Sequence, residues 1–160
     1  MKTRFISTLV LVAVILCCCV NQPARNDASE CEQVQNINDR YRCYTDLAIE
    51  KKDTKICAGL QEYYLIRKCH AHVAAAAEDL EICEESQNID DKEWCILAVA
   101  GTKKDPTLCK RIQNQYNRDT CYFSVAATKN DSTLCNEIRN QTRRNQCIEE
   151  SPYFGKPWEW

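Results

Sequence analysis

Ten cysteines recur along this chain at two alternating spacings, twelve positions from Cys31 to Cys43 and fourteen from Cys43 to Cys57. The pattern defines a repeating unit that carries two cysteines and occurs five times. A fixed period of this length is typical of repeat architectures, in which each unit packs only against its neighbours. The chain is therefore expected to form an array of small equivalent units. The ten cysteines are Cys31, Cys43, Cys57, Cys69, Cys83, Cys95, Cys109, Cys121, Cys135 and Cys147.

An aspartate stands four positions before the first cysteine of each unit. Aspartate is a favoured N-cap, because its carboxylate accepts hydrogen bonds from the first amides of a helix and complements the helix dipole. Apolar pairs at i, i+4, such as Leu108 and Ile112, extend this signal to a helix of about nine or ten residues. In the third unit Ser86 weakens the apolar face. The five aspartates are Asp27, Asp53, Asp79, Asp105 and Asp131.

A second helix in each unit carries the second cysteine. In the first four units an apolar residue follows that cysteine at i+4 and an alanine at i+5, as in Cys95, Val99 and Ala100, so that they share a packing face. Asp90 and Glu93 resemble a capping box at the start of this helix. Three glycines and four prolines are too few for a fold of many β-hairpins. The expected fold is all-α, a right-handed α-solenoid of five 26-residue helical hairpins over residues 27–151.

The cysteine spacing also predicts the disulfides. A hairpin turn near Tyr63 places Cys57 and Cys69 six positions to either side, where they face each other. Pairing Cys43 with Cys57 would join arms that differ by four positions, about 6 Å of helix, which is too much for bonded cysteines. The shorter spacing also uses all ten cysteines. The predicted bonds, one in each unit, are Cys31–Cys43, Cys57–Cys69, Cys83–Cys95, Cys109–Cys121 and Cys135–Cys147.

This combination of helical hairpins and paired cysteines resembles the Sel1-like cysteine-rich repeat proteins of bacteria. Those proteins are exported α/α arrays in which a disulfide joins the two helices of each repeat. The resemblance spans residues 27–151 and concerns the design alone, because period and cysteine spacing both differ. It therefore assigns no functional residue to this chain.

The segment 1–19 is typical of an export signal. Lys2 and Arg4 precede an apolar run that starts at Phe5, a charged region followed by a hydrophobic one. Leu16, three positions before Cys19, resembles the lipobox of prokaryotic lipoproteins, in which the cysteine at the cleavage point receives an acyl lipid such as palmitate. The resemblance implies lipidation of Cys19 or of its neighbour Cys18, although Cys18 stands where the family has Gly, Ala or Ser. An uncleaved signal anchor and a fully secreted product remain alternatives.

Each alternative places the cysteine-rich region outside the cytoplasm, where disulfides persist. Residues 20–26 form a short polar tether between the signal and the repeats. Loss of the segment 1–19 removes Lys2 and Arg4 and leaves the remaining chain with more acidic than basic residues. This acidic balance disfavours nucleic acid as a partner, because such binding depends on a basic surface.

Composition and motifs favour binding over catalysis. The chain has two histidines and lacks a nucleophile elbow, a phosphate-binding glycine loop and an H-E-x-x-H helix. The local group Cys69, His70 and His72 spreads around a helix, and none of the ten cysteines forms a close ligand pair of the kind that zinc prefers. We therefore expect no metal and no cofactor. The expected function is a membrane-tethered scaffold that binds a protein or glycan of the cell envelope; a secreted effector or enzyme inhibitor is the alternative.

Two groups of residues are candidates for partner contact or modification. The tail, residues 152–160, either covers the open end of the array or contacts a partner or the membrane interface through Tyr153, Phe154, Trp158 and Trp160. Asn130 and Asn140 begin N-glycosylation sequons. Seven further aromatic residues near the hairpin turns are expected mainly to fill gaps between units, with partner contact as the alternative. They are Tyr41, Tyr44, Tyr63, Tyr64, Trp94, Tyr116 and Tyr122.

Overall fold

The computed structural model describes residues 27–154, apart from the side chain of Tyr153. The predicted signal, the tether, Cys18, Cys19, Trp158 and Trp160 lie outside the described residues. We number the units 1 to 5, starting at Asp27, Asp53, Asp79, Asp105 and Asp131.

Within residues 27–154 all regular secondary structure is helical, and each unit combines a short helix with a longer one, as the repeat predicts. Among these residues, no helix combines the length and apolar character needed to cross a bilayer. The α-helices are α1 (Ala28–Glu32), α2 (Ile37–Lys51), α3 (Tyr63–Ala77), α4 (Glu81–Glu84), α5 (Ile89–Lys103), α6 (Gln115–Lys129) and α7 (Gln141–Glu150). The 3₁₀ helices are Thr54–Gly59, Leu108–Arg111, Ser132–Glu137 and Ser151–Tyr153. The right-handed sense of the array stays a prediction.

The first helix of each unit is shorter than expected. It has four to six residues, and in units 2, 4 and 5 it is a 3₁₀ helix. The reason is the short connection, since the chain must reverse between Cys83 and the start of α5 at Ile89, and likewise in the other units. The N-cap prediction is confirmed for Asp27, Asp53 and Asp131 and wrong for Asp79 and Asp105, because Leu80 and Thr107 hold the N-cap position in units 3 and 4. In all five units the aspartate carboxylate nevertheless accepts from the backbone amide two positions later, at 2.8 to 3.2 Å.

The long helices begin at an unexpected cap. Asn88, not Asp90, is the N-cap of α5, and its side chain accepts from the amides of Asp90 and Asp91. Asn36, Asn114 and Asn140 cap α2, α6 and α7 in the same way. The predicted capping box of Asp90 and Glu93 is therefore wrong, because the side chain of Glu93 is buried against the next unit.

Each of the four long helices α2, α3, α5 and α6 ends in a left-handed residue. These residues stand at equivalent positions of successive units and have φ between 52° and 57°. The aspartate that follows donates its amide to the alanine carbonyl five positions earlier, as Asp105 does to Ala100 at 3.0 Å. This is the Schellman arrangement, which satisfies the last carbonyls of a helix. The left-handed residues are Lys52, Glu78, Lys104 and Asn130.

All five predicted disulfides are present, each within one unit and each with a sequence separation of 12. Their Cα–Cα distances of 5.4 to 5.8 Å lie in the ordinary range for a disulfide. All ten bonded cysteines are buried. The pairing prediction is confirmed, and the disulfides form the centre of each unit.

The apolar core consists of two clusters. One joins units 1 and 2 and includes Tyr44 and Leu60. The other runs through units 3 to 5, from Cys83 to Phe154, and takes in Ala71 and Ala74 of α3. The apolar and alanine positions after the second cysteine of units 1 to 4 are buried, as expected. The two clusters meet between units 2 and 3.

Candidate groove between units 2 and 3

Residues one repeat apart occupy equivalent places in successive units, so the four interfaces between units can be compared position by position. At the interface of units 3 and 4, the carboxylate of Glu93 accepts from the backbone amides of Gln113 and Asn114, at 2.6 and 3.0 Å. It also accepts from the Asn117 side chain at 3.0 Å. Burial opposes ionisation of Glu93, but these hydrogen bonds outweigh it and hold the pKa below its ordinary value. Ile112 is buried at the same interface.

The interface of units 4 and 5 repeats this arrangement. Asp119, which stands one repeat after Glu93, accepts from the backbone amides of Arg139 and Asn140 at 3.0 and 2.9 Å. Burial again opposes ionisation, and the hydrogen bonds again lower the pKa of Asp119. Ile138 occupies the buried place of Ile112. A buried carboxylate therefore ties the start of α6 to unit 3 and the start of α7 to unit 4.

The interface of units 1 and 2 uses apolar side chains instead. Tyr41 occupies the place of the carboxylate, and Leu60 and Leu65 occupy the places of Ile112 and Asn117. Both leucines are buried in one cluster, with Tyr41 packed against it. This interface is thus closed by apolar contact.

The interface of units 2 and 3 follows neither pattern. Arg67 stands in the place of the carboxylate, Ser86 in the place of the buried isoleucine, and Asp91 in the place of Asn117. The small Ser86 side chain leaves space that Leu60, Ile112 and Ile138 fill elsewhere. The result is a groove of about 420 Å³, which we call the 2–3 groove. Its lining includes Tyr63, Ile66, Arg67, His70, Ile82, Glu85, Ser86, Gln87, Asn88 and Asp91.

Arg67 and Asp91 form the polar centre of the 2–3 groove. Arg67 Nη1 lies 3.6 Å from Asp91 Oδ1, and the guanidinium lies over the Trp94 ring, 5.5 Å from its centroid. Among residues 27–154, the Arg67 side chain makes no hydrogen bond of ordinary length. The Tyr63 hydroxyl donates to Asp91 Oδ2, and this bond raises the pKa of the Tyr63 phenol. The groove therefore presents an unused set of guanidinium donors beside a carboxylate.

The rim of the 2–3 groove carries exposed aromatic side chains. Tyr63, which lines the groove, is 60% exposed, and Trp94, whose ring lies under the Arg67 guanidinium, is 40% exposed. Tyr64, the next residue of α3, is 54% exposed but is not among the residues that line the groove. Tyrosine and tryptophan are enriched at binding surfaces, where they account for much of the binding energy. The expectation that the aromatic residues mainly fill gaps is therefore wrong for these three, whereas it is correct for Tyr44 and Tyr122, which are buried.

Tyr116 belongs to a second, smaller concavity. This space of about 380 Å³ lies between units 4 and 5, next to Arg143 and Asp119. The Arg143 guanidinium lies 4.3 Å from the centroid of the Tyr116 ring and also bonds to Thr120. Because Asp119 is saturated by backbone amides, this concavity offers fewer free polar groups than the 2–3 groove.

The remaining candidate residues lie apart from the groove. Phe154 is buried and meets Phe123 edge to face, with ring centroids 6.2 Å apart; it belongs to the core of the last units and not to an exposed contact surface. Asn130 and Asn140 are exposed at a helix end and a helix start. Glycosylation at either one stays a prediction.

The local group of Cys69, His70 and His72 is dispersed. Cys69 is bonded to Cys57, His72 packs against the Tyr41 ring, and His70 lines the 2–3 groove. In the part of the chain that the structure describes, no three His, Cys, Asp or Glu side chains could jointly hold a metal ion. The groove presents groups for hydrogen bonding, ion pairing and aromatic contact.

Sequence reasoning noticed Ser86 as a weak point but did not identify the groove. The sequence does contain a sign of the groove. When the units are aligned, Arg67 occupies the position that is acidic in the next two units, where Glu93 and Asp119 stand. Its meaning depends on the fold, because the carboxylates act on backbone amides of the following unit.

No protein-family model matches this chain, and comparisons with curated proteins and with solved structures find no similar protein.

Proposed function

We propose that this protein is a non-enzymatic scaffold that binds a protein or a glycan of the cell envelope through the 2–3 groove. In this proposal a lipid on Cys19, or on Cys18, holds the chain at the membrane, and the repeats face away from the cytoplasm. Five disulfides are consistent with that oxidising side of the membrane.

The observation that carries the binding proposal is the departure of one interface from the other three. Arg67, Ser86 and Asp91 replace residues that close the array elsewhere. An open polar interface forgoes apolar burial that an isoleucine would provide, and such local costs to stability are typical of functional sites. The exposed Tyr63 and Trp94 add the aromatic groups that dominate many binding surfaces.

Anchoring is tested by metabolic labelling with an alkyne analogue of palmitate in cells that express the full chain. We expect label in the membrane fraction for the wild type and no label for Cys18→Ala/Cys19→Ala. Unlabelled protein in the medium would favour the secreted effector or inhibitor, whereas unlabelled protein in the membrane fraction would favour an uncleaved signal anchor.

Binding is tested by affinity capture from an envelope extract with immobilised residues 27–160. We expect a protein or glycan that elutes from the wild type and not from Arg67→Ala/Asp91→Ala. Tyr116→Ala, whose ring is 63% exposed outside the 2–3 groove, serves as the matched control. Equal capture by the groove variant would contradict the proposed site.

A further inference from the structure

We infer that the ligand of the 2–3 groove is a neutral glycan, one of hexose or N-acetylhexosamine units. This inference rests on the proposed function and names the ligand class. Sugars present neighbouring hydroxyl groups that each donate and accept, so they bind best where donors and acceptors alternate. Arg67 supplies donors and Asp91 supplies acceptors at adjacent positions, 3.6 Å apart. Gln87 adds an amide side chain at the lining of the groove, and Asn88, whose side-chain oxygen caps α5, adds its amide nitrogen.

The charges in the groove favour a neutral ligand over an ionic one. Arg67 is balanced by Asp91, and Glu85 adds a further negative charge to the lining. A carboxylate or phosphate ligand would meet both acidic side chains, while a cationic ligand would meet the Arg67 guanidinium. A ligand without net charge can bond to both partners and leave their ion pair in place.

The aromatic rim suits the apolar face of a sugar ring. The C–H groups of a pyranose pack flat on an aromatic ring. Tyr63 lines the groove and is more than half exposed, and the partly exposed Trp94 ring lies beside Arg67. The Tyr63 hydroxyl is held by Asp91, which orients this ring before any ligand arrives. Preorganised side chains lose less entropy on binding than free ones.

The size of the groove agrees with a short saccharide segment. A volume of about 420 Å³ lies at the lower end of the range for small-molecule sites and suits roughly one to two sugar rings. A folded protein partner would instead require a larger apolar surface than this groove presents.

The repeat itself supplies the sharpest test. The triple variant Arg67→Glu/Ser86→Ile/Asp91→Asn places at the 2–3 interface the residues found at the equivalent positions of the 3–4 interface, which are Glu93, Ile112 and Asn117. The glutamate at position 67 is expected to accept from the amides of Gln87 and Asn88. The isoleucine at position 86 is expected to fill the space that the small serine leaves open. We expect this variant to fold with an unfolding temperature equal to or above that of the wild type.

Wild type and triple variant are compared on an array of neutral hexose and N-acetylhexosamine oligomers, with sialylated and uronic-acid glycans as the charged arm. Hits are measured by titration calorimetry. We expect the wild type to bind neutral glycans and the triple variant to bind them about ten-fold more weakly or worse. Tyr63→Phe, which keeps the ring and removes the hydroxyl, is expected to retain part of the affinity.

The outcomes distinguish the glycan inference from the proposed binding function. Absence of neutral-glycan binding by the wild type, or binding of charged glycans alone, would overturn the glycan inference. If an envelope protein is then captured by the wild type and not by the triple variant, the proposed function stands without the glycan. If the well-folded triple variant binds glycans as tightly as the wild type, the groove is not their site.

Discussion

The side-chain carboxylate of Glu93 lies 2.6 Å from the backbone nitrogen of Gln113 in the next unit. The amides just before α6 would otherwise bond to water, and the Glu93 carboxylate accepts from them instead. Asp119 does the same for α7. Two buried carboxylates thus link the last three units, and an ionised carboxylate is the stronger acceptor.

Glu93→Gln/Asp119→Asn is expected to lower the free energy of unfolding by about 1 to 3 kcal/mol per site at pH 7. The pKa of each carboxyl is lowered in the folded state, so its stabilisation is complete above the unfolded pKa, about 4. It is lost as the pH falls through the folded pKa. Urea unfolding from neutral to strongly acidic pH should therefore show a smaller acid-dependent loss for the variant.

Glu84→Gln is the control for that experiment. Glu84 pairs with Lys92 and Arg111 at 2.9 and 2.8 Å, but its side chain is 45% exposed. Exposed ion pairs contribute about 0 to 1 kcal/mol. A larger loss for Glu84→Gln than for Glu93→Gln would contradict the role of the buried carboxylates.

Gly59→Ala is expected to destabilise the protein by about 1 to 3 kcal/mol through overpacking. A Cβ at this position would lie 2.5 Å from Tyr44 Cζ and 2.8 Å from its hydroxyl oxygen, and the Tyr44 ring is buried. Gly101→Ala is the matched substitution. Its Cβ would meet only the flexible Ser124 Oγ at 3.0 Å, and alanine is favoured in a helix by about 0.5 to 1 kcal/mol. Thermal unfolding should separate the two variants, and a stabilising Gly59→Ala would contradict the close contact.

Lys104→Gly is expected to stabilise the protein by about 0.5 to 1 kcal/mol. Lys104 holds a φ of 54°, where a side chain costs about 1 to 2 kcal/mol that glycine avoids, partly offset by the larger entropy of unfolded glycine. Asn130→Gly, at the equivalent position, should gain less because asparagine tolerates this conformation. Guanidinium unfolding would measure both. A loss of stability in Lys104→Gly would contradict the left-handed helix end.

Cys109→Ser/Cys121→Ser should lower the stability by about 3 kcal/mol, because the bond restricts the unfolded chain and both cysteines are buried. The double variant and the wild type are compared by thermal unfolding under oxidising conditions.

The pairing itself is checked by peptide mapping of the wild type without reduction, which should recover only the pairs that lie within one unit. A Cys43–Cys57 peptide would contradict the observed pairing.

Phe154→Ala should cost about 3 kcal/mol if the ring closes the end of the array, since Phe154 is buried against Phe123. Phe154→Leu, which keeps most of the apolar volume, should cost less. Hydrogen exchange of α7 would show whether the loss is local. An unchanged unfolding temperature in Phe154→Ala would contradict a role for this ring in the core.

Much of the fold within a unit was predictable because its constraints act over short distances. The cysteine spacing predicts the disulfides, Asp53 and its equivalents mark the starts of the short helices, and Val99 and Ala100 mark the buried face of a long helix. The 3₁₀ character of the short helices in units 2, 4 and 5 and the asparagine caps were missed. The first helix of a unit is short because the chain must reverse before the next helix begins, and residue propensities do not reveal where that reversal falls.

By itself the sequence determined the repeating unit, its helical character and its disulfide pairing, because each of these depends on residues that lie within one repeat of each other. Only the tertiary structure decided whether the interface between two neighbouring units is closed or forms a groove. The same aligned position closes an interface when it is Glu93 or Asp119, and lines an open groove when it is Arg67. The difference arises because a buried carboxylate can satisfy the amides of the following helix, whereas a guanidinium, which only donates, cannot.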